Sequence, residues 1–183
     1  MLQLSADDRR HVARAVELAR SALEEGDDPF GSLLVDGHGQ MLAEAKNREV
    51  TDADPTAHPE LWLARFASAR LTADERAEAT VYTSGEHCPM CAAAHGWVGL
   101  GRIVFAASSS QLATWRSEWG RSASPVAALP VTKVVVEADV VGPVSPFDAQ
   151  MRAIHLQQAA QRGFRTAVEE MQAFPIASAP EGR

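Results

Sequence analysis

The sequence predicts an α/β fold, namely a three-layer α/β/α sandwich with a mixed sheet of about five strands. The 183 residues are 46% apolar and 22% charged, which is typical of a globular domain. Segments with helical spacing of apolar residues alternate with short runs rich in β-branched residues, a pattern typical of a sheet covered by helices. We therefore expect residues 1–183 to form a single domain, with a loosely ordered tail over about 174–183.

The N-terminal half begins with a predicted helix over residues 5–25, for which Ser5 is the expected N-cap. Two strands of an antiparallel hairpin follow at 30–36 and 41–45, because short apolar runs flank a turn that contains glycine. A second helix is predicted over 59–71, where apolar side chains share one face.

The C-terminal half is predicted from the same two patterns, β-branched runs for strands and helical spacing for helices. Its predicted elements are a strand at 80–84, a short helix at 89–98, a strand at 102–107, a loop with some helix at 108–130, a strand at 131–141 and a helix at 147–163.

The charge of the chain disfavours nucleic-acid binding. The net charge is −7, from 24 acidic and 17 basic side chains, and only two of the basic side chains are lysines. No apolar stretch approaches the ~20 residues of a membrane span, and the N-terminus lacks the apolar region of a secretory signal. We therefore expect a cytoplasmic location without membrane partners, where two thiols are more often metal ligands or redox groups than a structural disulfide.

Both cysteines of the chain, Cys88 and Cys91, lie in the stretch TSGEHCPMCAAAHG. A Cys-x-x-Cys at the start of a helix is typical of a thiol redox site and equally of half a metal site. Thirty residues before Cys88 lies His58, followed by Glu60 in a His-x-Glu pattern. The four residues supply three zinc ligands and one carboxylate that does not ligate, and three protein ligands leave a fourth position open for water, as in catalytic zinc sites.

Two prolines predict how these ligands are placed. His58 precedes Pro59 and Cys88 precedes Pro89, and a proline suits the first position of a helix, so both ligands are expected at helix N-termini. Cys91 lies one turn further in, where the helix dipole favours a thiolate. The sequence therefore predicts two helix N-termini that converge on one ion.

These motifs resemble the signature of zinc nucleobase deaminases, His-x-Glu followed by Pro-Cys-x-x-Cys. DPTAHPE and YTSGEHCPMC are similar to the branch of the cytidine/deoxycytidylate deaminase superfamily that contains guanine, cytosine and tRNA adenosine deaminases. DPFGSLLV at 28–35 is similar to the first strand of that branch, and Asn47 stands where the family places a base-contacting asparagine. The resemblance covers residues 5–107 and implies a cytidine deaminase-like fold.

The resemblance implies a hydrolase that acts on C–N bonds other than peptide bonds, with Zn²⁺ as cofactor. In such a reaction the catalytic carboxylate moves a proton from water to a ring nitrogen and then to departing ammonia. Family members are commonly dimers, so a homodimer is expected. The residues to which the resemblance assigns a role are the metal ligands His58, Cys88 and Cys91, the catalytic Glu60, and the substrate-binding Asn47, Ala57 and Phe30.

Several substrates stay open. A free nucleobase, nucleoside or related aminated ring is favoured, guanine-like or cytosine-like, with triazines and pterins as further candidates. A tRNA adenosine deaminase is the alternative, but it calls for a cationic face, and residues 164–183 contain two arginines and three glutamates. An alternative of another class is a non-catalytic thiol-redox or zinc-stabilised binding protein.

Other residues have no settled role. The family usually has a proline where this chain has His87 and a small residue where it has Pro59; His87 is expected to point away from the metal. His95 is interpreted as a packed or surface histidine, and His155 as a residue on a helix surface.

Two tryptophans and one aspartate lie in the part of the chain beyond the resemblance. Trp115 and Trp119 are four residues apart and share a helical face, either to stack on a substrate ring or to be buried. Asp148 is a candidate for contacting a ring amine by analogy with purine-reading deaminases.

Overall fold

The structure, a computed structural model, describes residues 4–173. It confirms the three-layer sandwich, and the tail predicted over about 174–183 lies outside the described residues. The described helices and strands are, in chain order, α1 (Ala6–Glu24), β1 (Gly31–Val35), β2 (Met41–Lys46), α2 (Pro59–Arg70), α3 (Ala73–Glu78), β3 (Thr80–Gly85), α4 (Pro89–Val98), β4 (Arg102–Ala107), α5 (Ser109–Glu118), β5 (Val140–Val141), α6 (Phe147–Gln161) and α7 (Arg165–Ala173).

The five strands form one mixed sheet in the order β2-β1-β3-β4-β5. Strand β1 is antiparallel to β2 and β3, whereas the β3–β4 and β4–β5 pairs are parallel. Leu33 and Tyr82 are register partners and belong to the core cluster on the α1 and α6 side. Their neighbours Leu34 and Val81 belong to the cluster on the α2 side. The sheet is thus buried on both faces, which explains why Leu33, Leu34 and Val35 follow one another in β1 with no polar residue between them.

Helix α1 begins with the capping box that the sequence predicts. The Ser5 hydroxyl accepts a hydrogen bond from the Asp8 amide at 3.0 Å, and the Ser5 amide donates to the Asp8 carboxylate at 2.8 Å. The same carboxylate accepts a hydrogen bond of 2.6 Å from the Tyr82 hydroxyl on β3. Asp8 therefore joins the start of the first helix to the centre of the sheet.

A glycine sets the distance between α1 and the sheet. A Cβ atom added to Gly31 would lie 2.3 Å from the Leu18 Cβ and 2.6 Å from the Ala15 carbonyl oxygen. Any side chain at this position would force the helix away from β1. Gly31 thus lets the Pro-Phe-Gly segment run directly under α1 and into the centre of the sheet.

The predicted strand at 131–141 is wrong over most of its length. Only Val140–Val141 pairs with β4, and Val131–Lys133 forms a 3-10 turn. Val131 is buried with Ile103 and Phe105, and Val134 and Val135 pack against this cluster. The valines therefore cover one face of the sheet instead of extending it, and their β-branched composition alone cannot distinguish these two uses.

Three helices differ from the prediction or refine it. Helix α5 occupies the first part of the region predicted as loop with some helix. Helix α3 was not predicted; it has six residues and none is buried, so it carries no apolar periodicity. Helix α7 was also not predicted, and Glu170 on it accepts a hydrogen bond of 2.9 Å from the Trp119 indole.

Within residues 4–173, no helix is long and apolar enough to cross a membrane.

The link between Asp8 and Tyr82 leads to a prediction about stability. We expect Asp8→Ala to lower the free energy of unfolding by about 2–3 kcal/mol, because it removes the carboxylate half of the capping box and leaves a buried hydroxyl unpaired. Burial opposes ionisation of Asp8, but hydrogen bonds from Tyr82 and Ser5 lower its pKa. The carboxylate's contribution is therefore present above the unfolded-state pKa and is lost as the pH falls through the lower folded-state pKa.

Urea denaturation at neutral and acid pH measures this effect, and the exposed Asp7→Ala is the matched control. Asp7 pairs with Arg10 on the surface, and its loss should cost less than about 0.5 kcal/mol. Equal losses in the two variants would contradict the role assigned to Asp8.

Candidate metal centre and active site

Two helix N-termini meet at the edge of the sheet, as the prolines predict. His58 is the N-cap of α2 and Cys88 the N-cap of α4, each followed by proline at the first helical position. Both residues have extended backbone conformations, with φ/ψ of −83°/139° and −66°/164°. This is the conformation that a following proline imposes, and it directs both side chains across the helix ends.

The donor atoms of His58, Cys88 and Cys91 lie within 4.8 Å of one another. The His58 Nδ1 atom is 3.6 Å from the Cys88 Sγ and 3.5 Å from the Cys91 Sγ. A tetrahedral zinc ion with Zn–S near 2.3 Å and Zn–N near 2.0–2.1 Å would hold nitrogen and sulfur about 3.5 Å apart. The three side chains therefore fit zinc both in donor chemistry and in spacing.

The electrostatics of Cys88 favour a metal cation, whereas the contact with Cys88 and burial raise the pKa of Cys91. A hydrogen bond from Cys91 and the nearby His58 imidazole lower the pKa of Cys88 to about 4, although burial opposes this. Burial disfavours the charged form of His58, but Cys88 and Glu49 raise its pKa to about 10. These shifts favour a Cys88 thiolate beside a protonated His58 ring. Zinc binding replaces the imidazolium proton, so acid pH should weaken it.

Glu49 orients the histidine. Its Oε1 atom lies 2.7 Å from the His58 Nε2, which leaves Nδ1 facing the two sulfurs. Such an outer carboxylate fixes the ring orientation of a metal-binding histidine and increases its basicity. Glu49 could not be predicted from the sequence, because its position two residues after Asn47 belongs to no motif that indicates this role.

The loop that carries Glu49 is held in place by Asp27. This buried carboxylate accepts hydrogen bonds from the Val50 amide at 2.7 Å, the Thr51 amide at 2.9 Å and the Thr51 hydroxyl at 2.5 Å. Asp27 directly precedes the motif that leads into β1. The loop between β2 and α2 is therefore anchored to the same end of the sheet as the metal donors.

Glu60 lies on the first turn of α2, and its side chain is buried. One carboxylate oxygen, Oε1, accepts hydrogen bonds from the Thr83 hydroxyl at 2.8 Å and the Ser32 hydroxyl at 3.0 Å. Burial raises the pKa of Glu60, while His58 and the two hydroxyls act in the opposite direction. A carboxylate with a raised pKa is suited to taking up and releasing a proton near neutral pH.

Ser32 and Thr83 are two further residues that the sequence analysis missed. They are register partners on β1 and β3, and their hydroxyls are 2.8 Å apart. Polar side chains inside a buried strand were the available signal, because such groups need a partner. Here their common partner is Glu60.

Asn47 is buried at the end of β2 and has a donor to spare. Its backbone amide donates to the Phe30 carbonyl at 2.9 Å, and its Oδ1 accepts from the Glu49 amide at 3.0 Å. The Nδ2 atom has no hydrogen-bond partner among the residues that the structure describes. A buried unpaired amide donor is unfavourable on its own and is suited to a ligand acceptor.

The other two residues expected to contact substrate are placed differently. Phe30 is half-buried, and its ring centroid is 5.2 Å from that of His155. The Ala57 amide donates to the Asp54 carbonyl at 3.0 Å, and the Ala57 carbonyl accepts from the Arg48 amide at 3.1 Å. Both backbone groups of Ala57 are thus engaged within the loop.

Three histidines outside the donor set, His87, His95 and His155, are buried. His87 does not join the metal-donor group; its ring packs edge-on against His95 at 5.3 Å, and burial lowers its pKa. His95 donates from Nε2 to the Gly101 carbonyl at 2.9 Å. The expectation that His155 lies on a helix surface is wrong, since its exposed fraction is 2%. The polar character of histidine suggested exposure, but aromatic partners on α5 and before β1 cover this face of α6.

Trp115 and Trp119 follow the burial alternative. Both belong to the core cluster that includes Met151 and Ile154 of α6. Asp148, near the start of α6, accepts a hydrogen bond of 3.3 Å from the Gln111 side chain. These three residues tie α5 to α6 and α7.

Residues 5–107 match the family model described as the cytidine and deoxycytidylate deaminase zinc-binding region. Among curated proteins, the chain is 34% identical over 110 residues to the "Probable cytosine deaminase" of Schizosaccharomyces pombe, covering 60% of this chain and 66% of that one. It is 38% identical over 103 residues to the guanine deaminase of Bacillus subtilis, covering 56% and 65%. It is 34% identical over 101 residues to the tRNA-specific adenosine deaminase of Haemophilus influenzae, covering 55% and 58%.

The matched part thus spans 58–66% of the length of these relatives, less than two thirds. Among solved structures, a guanine deaminase from Nitrosomonas europaea superposes with a TM-score of 0.65 at 19% identity, covering 87% of each chain. At that identity the superposition shows that the two chains share a fold.

The contact between Glu49 and His58 can be tested. We expect Glu49→Gln to weaken zinc binding by about 10- to 100-fold, because the imidazole loses the carboxylate that orients it. Competition with a chromogenic chelator measures the affinity. Asp52→Asn is the matched control, since Asp52 lies in the same loop and pairs with Arg48 at the surface. Equal affinities of Glu49→Gln and the control would show that the contact does not support the metal.

Proposed function

This chain belongs to the cytidine and deoxycytidylate deaminase family, and from that premise we propose that it is a zinc-dependent hydrolytic deaminase of a free nucleobase, nucleoside or related aminated heteroaromatic ring. One observation carries the proposal. An imidazole nitrogen and two sulfurs lie at the spacing of a tetrahedral zinc site, beside a buried carboxylate that is not one of the three donors. A structural zinc site has four protein ligands, whereas a catalytic site has three.

We propose that His58, Cys88 and Cys91 hold the ion. When bound, zinc supplies a Lewis acid that lowers the pKa of a coordinated water to ~7. The N-terminal ends of α2 and α4 both face this position, and their dipoles favour the negative charge of the two thiolates. The alternative of a thiol redox pair does not account for the imidazole that both sulfurs contact.

Glu60 is proposed to carry the protons of the reaction. It accepts a proton from the attacking water as the oxygen bonds to the ring carbon, and it donates that proton to the adjacent ring nitrogen. It then delivers the second water proton to the amino group, the C–N bond breaks, and ammonia leaves as the ring carbonyl forms. Ser32 and Thr83 keep the carboxylate in position throughout, because both hydroxyls bind its Oε1 atom.

Two residues are proposed to orient the ring. The free Nδ2 donor of Asn47 would bind an acceptor on the ring or its substituent, and Phe30 would cover one ring face. The relatives are named for cytosine, guanine and tRNA adenosine deamination, so the ring itself is open. The net charge of −7 favours a small substrate over RNA.

We also propose that the chain forms a homodimer through α4. Trp97 on α4 is 91% exposed and Val136 is 87% exposed, and Trp97 lines a groove together with Val134 and Val135. A contiguous exposed apolar patch of this kind marks an interaction site. The cytoplasmic location stays a prediction.

Glu60→Gln tests the proposed reaction. The wild type should bind about one zinc per chain and release ammonia from at least one of guanine, cytosine, adenine, their nucleosides and amino-triazines. The variant should keep its zinc but lose turnover by about 100-fold or more, because it cannot carry protons. The exposed Glu17→Gln is the control. Wild-type turnover in Glu60→Gln would assign the proton transfers to another group.

Trp97→Glu tests the proposed dimer. Light scattering after gel filtration should give the wild type a mass near twice 19.6 kDa, and the variant a mass near 19.6 kDa. A central tryptophan commonly contributes about 2–4 kcal/mol to an interface, enough to dissociate the dimer at micromolar concentration. Val126→Glu, at an exposed site in the loop that follows α5, should stay dimeric. A monomeric wild type would refute the proposal.

A further inference from the structure

Three arginines converge beside Phe30. Arg116 lies on α5, Arg121 follows that helix, and Arg162 follows α6. The Arg162 guanidinium is 2.5 Å from one oxygen of the Asp28 carboxylate, and that of Arg116 is 3.9 Å from the other.

Gln158 completes the arrangement. Its amide donates to Asp28 at 2.9 Å, and its carbonyl oxygen accepts from Arg121 at 3.2 Å. Three segments of the C-terminal part of the chain therefore gather around the aspartate that begins the Asp-Pro-Phe-Gly motif.

The positive charge of this arginine cluster exceeds the negative charge beside it. Within residues 4–173, Asp28 is the one carboxylate within ion-pair distance of Arg116 and Arg162, and Arg121 has no ion pair. Glu49 attracts Arg116 from further away, but its Oε1 atom is bound to His58. Burial lowers the pKa of both Arg116 and Arg121. Guanidinium groups stay charged under these conditions, and partly buried like charges are unfavourable unless an anion offsets them.

Buried polar atoms without a partner point to the same place. The Arg116 Nε atom is buried and has no hydrogen-bond partner in the described part of the chain. The same holds for Nδ1 of His155, a side chain only 2% exposed that lies close enough to Arg116, Arg121 and Asp28 to feel their charges. Burial and the nearby Arg116 lower the pKa of His155 to about 3, so this ring is neutral. A built site with a free guanidinium donor and surplus positive charge fits an anionic ligand.

The cluster adjoins the residues proposed to hold the substrate. The Phe30 ring packs against the His155 ring, and the Phe30 carbonyl accepts a hydrogen bond from the Asn47 amide. The negative charge of Glu49 attracts Arg116, and the Glu49 carboxylate contacts His58 directly. A ring bound between Asn47 and the metal donors would thus carry its substituents toward the arginines.

We propose that Arg116, Arg121 and Arg162 bind an acidic group on the substrate, so that the substrate is an aminated heteroaromatic ring bearing a phosphate or a carboxylate. This inference rests on the proposed deaminase function. It narrows the substrate class, because a neutral free base or nucleoside leaves the cluster without its anion.

A matched substrate panel tests the inference. Each candidate ring is supplied as the free base, the nucleoside, the 5′-monophosphate and a ring carboxylate, and an anticodon stem-loop RNA is included. The acid-bearing form of the active ring should have a kcat/KM about 10-fold or more above that of its neutral form, mainly through KM. Comparison of the phosphate and carboxylate arms identifies the acid. Equal turnover of neutral and acidic forms, or a response to RNA alone, would overturn the proposal.

Arg121→Gln and the more exposed Arg162→Gln should each reduce kcat/KM for the acidic form by about 10-fold and leave that for the neutral form within about 2-fold. Arg165→Gln is the control, because its side chain is 89% exposed and lies outside the cluster. A loss that is equal for both forms in both variants would mean that the arginines only support the fold, and would refute the proposal.

A binding measurement separates failure of this inference from failure of the proposed function. Inorganic phosphate or malonate at millimolar concentration should raise the melting temperature of the wild type by about 2 °C or more, and Arg121→Gln should abolish the shift. A shift that Arg121→Gln abolishes, together with no ammonia release from any ring, would support the anion site and contradict the proposed deaminase function. Absence of any shift in the wild type would contradict the anion site, even if a neutral ring is deaminated.

Discussion

The site depends on one constraint, the meeting of two helix N-termini at a single point. A proline at the first position of α2 and of α4 holds the residue before it in an extended conformation. This conformation brings the His58 nitrogen within 3.6 Å of the Cys88 sulfur. The parallel β3–β4 pair and the antiparallel β1–β3 pair hold the two helices on the same face and at the same edge. Metal donors separated by thirty residues in sequence thus become neighbours, because both helices begin at the same end of the sheet.

Much of this centre could be predicted from local chemistry, and the remainder depends on tertiary pairing. The His-Pro and Cys-Pro steps predict the placement of the donors, since proline acts on the residue directly before it. Glu49, Ser32 and Thr83 could not be assigned in the same way. Their partners, His58 and Glu60, lie 9 to 28 residues away, and only the strand register and the anchored loop bring them together.

The two errors of the prediction have a common origin. The valines of 131–141 and the histidine at 155 were assigned from residue type, β-branched for a strand and polar for a surface. In the structure, the valines cover a sheet face, and His155 is enclosed by Phe30 and Trp115. In both places packing against another layer decides the outcome, and propensity is too weak to oppose it. Helix α7 was missed as well, because only one of its residues is buried.

The division of the chain at residue 107 also divides the chemistry. The metal donors, Glu60 and the residues around them all lie within the region that matches the family model, whereas α5, α6 and the arginine cluster lie beyond it. A catalytic end that attacks an aminated ring carbon places few demands on the rest of the substrate, so one centre can serve many rings. Selection among rings must then come from groups that contact their substituents, and we propose that the later helices supply those groups. Asp28 connects the two parts, because it lies next to the first strand of the matched region and accepts hydrogen bonds from the segments beyond it.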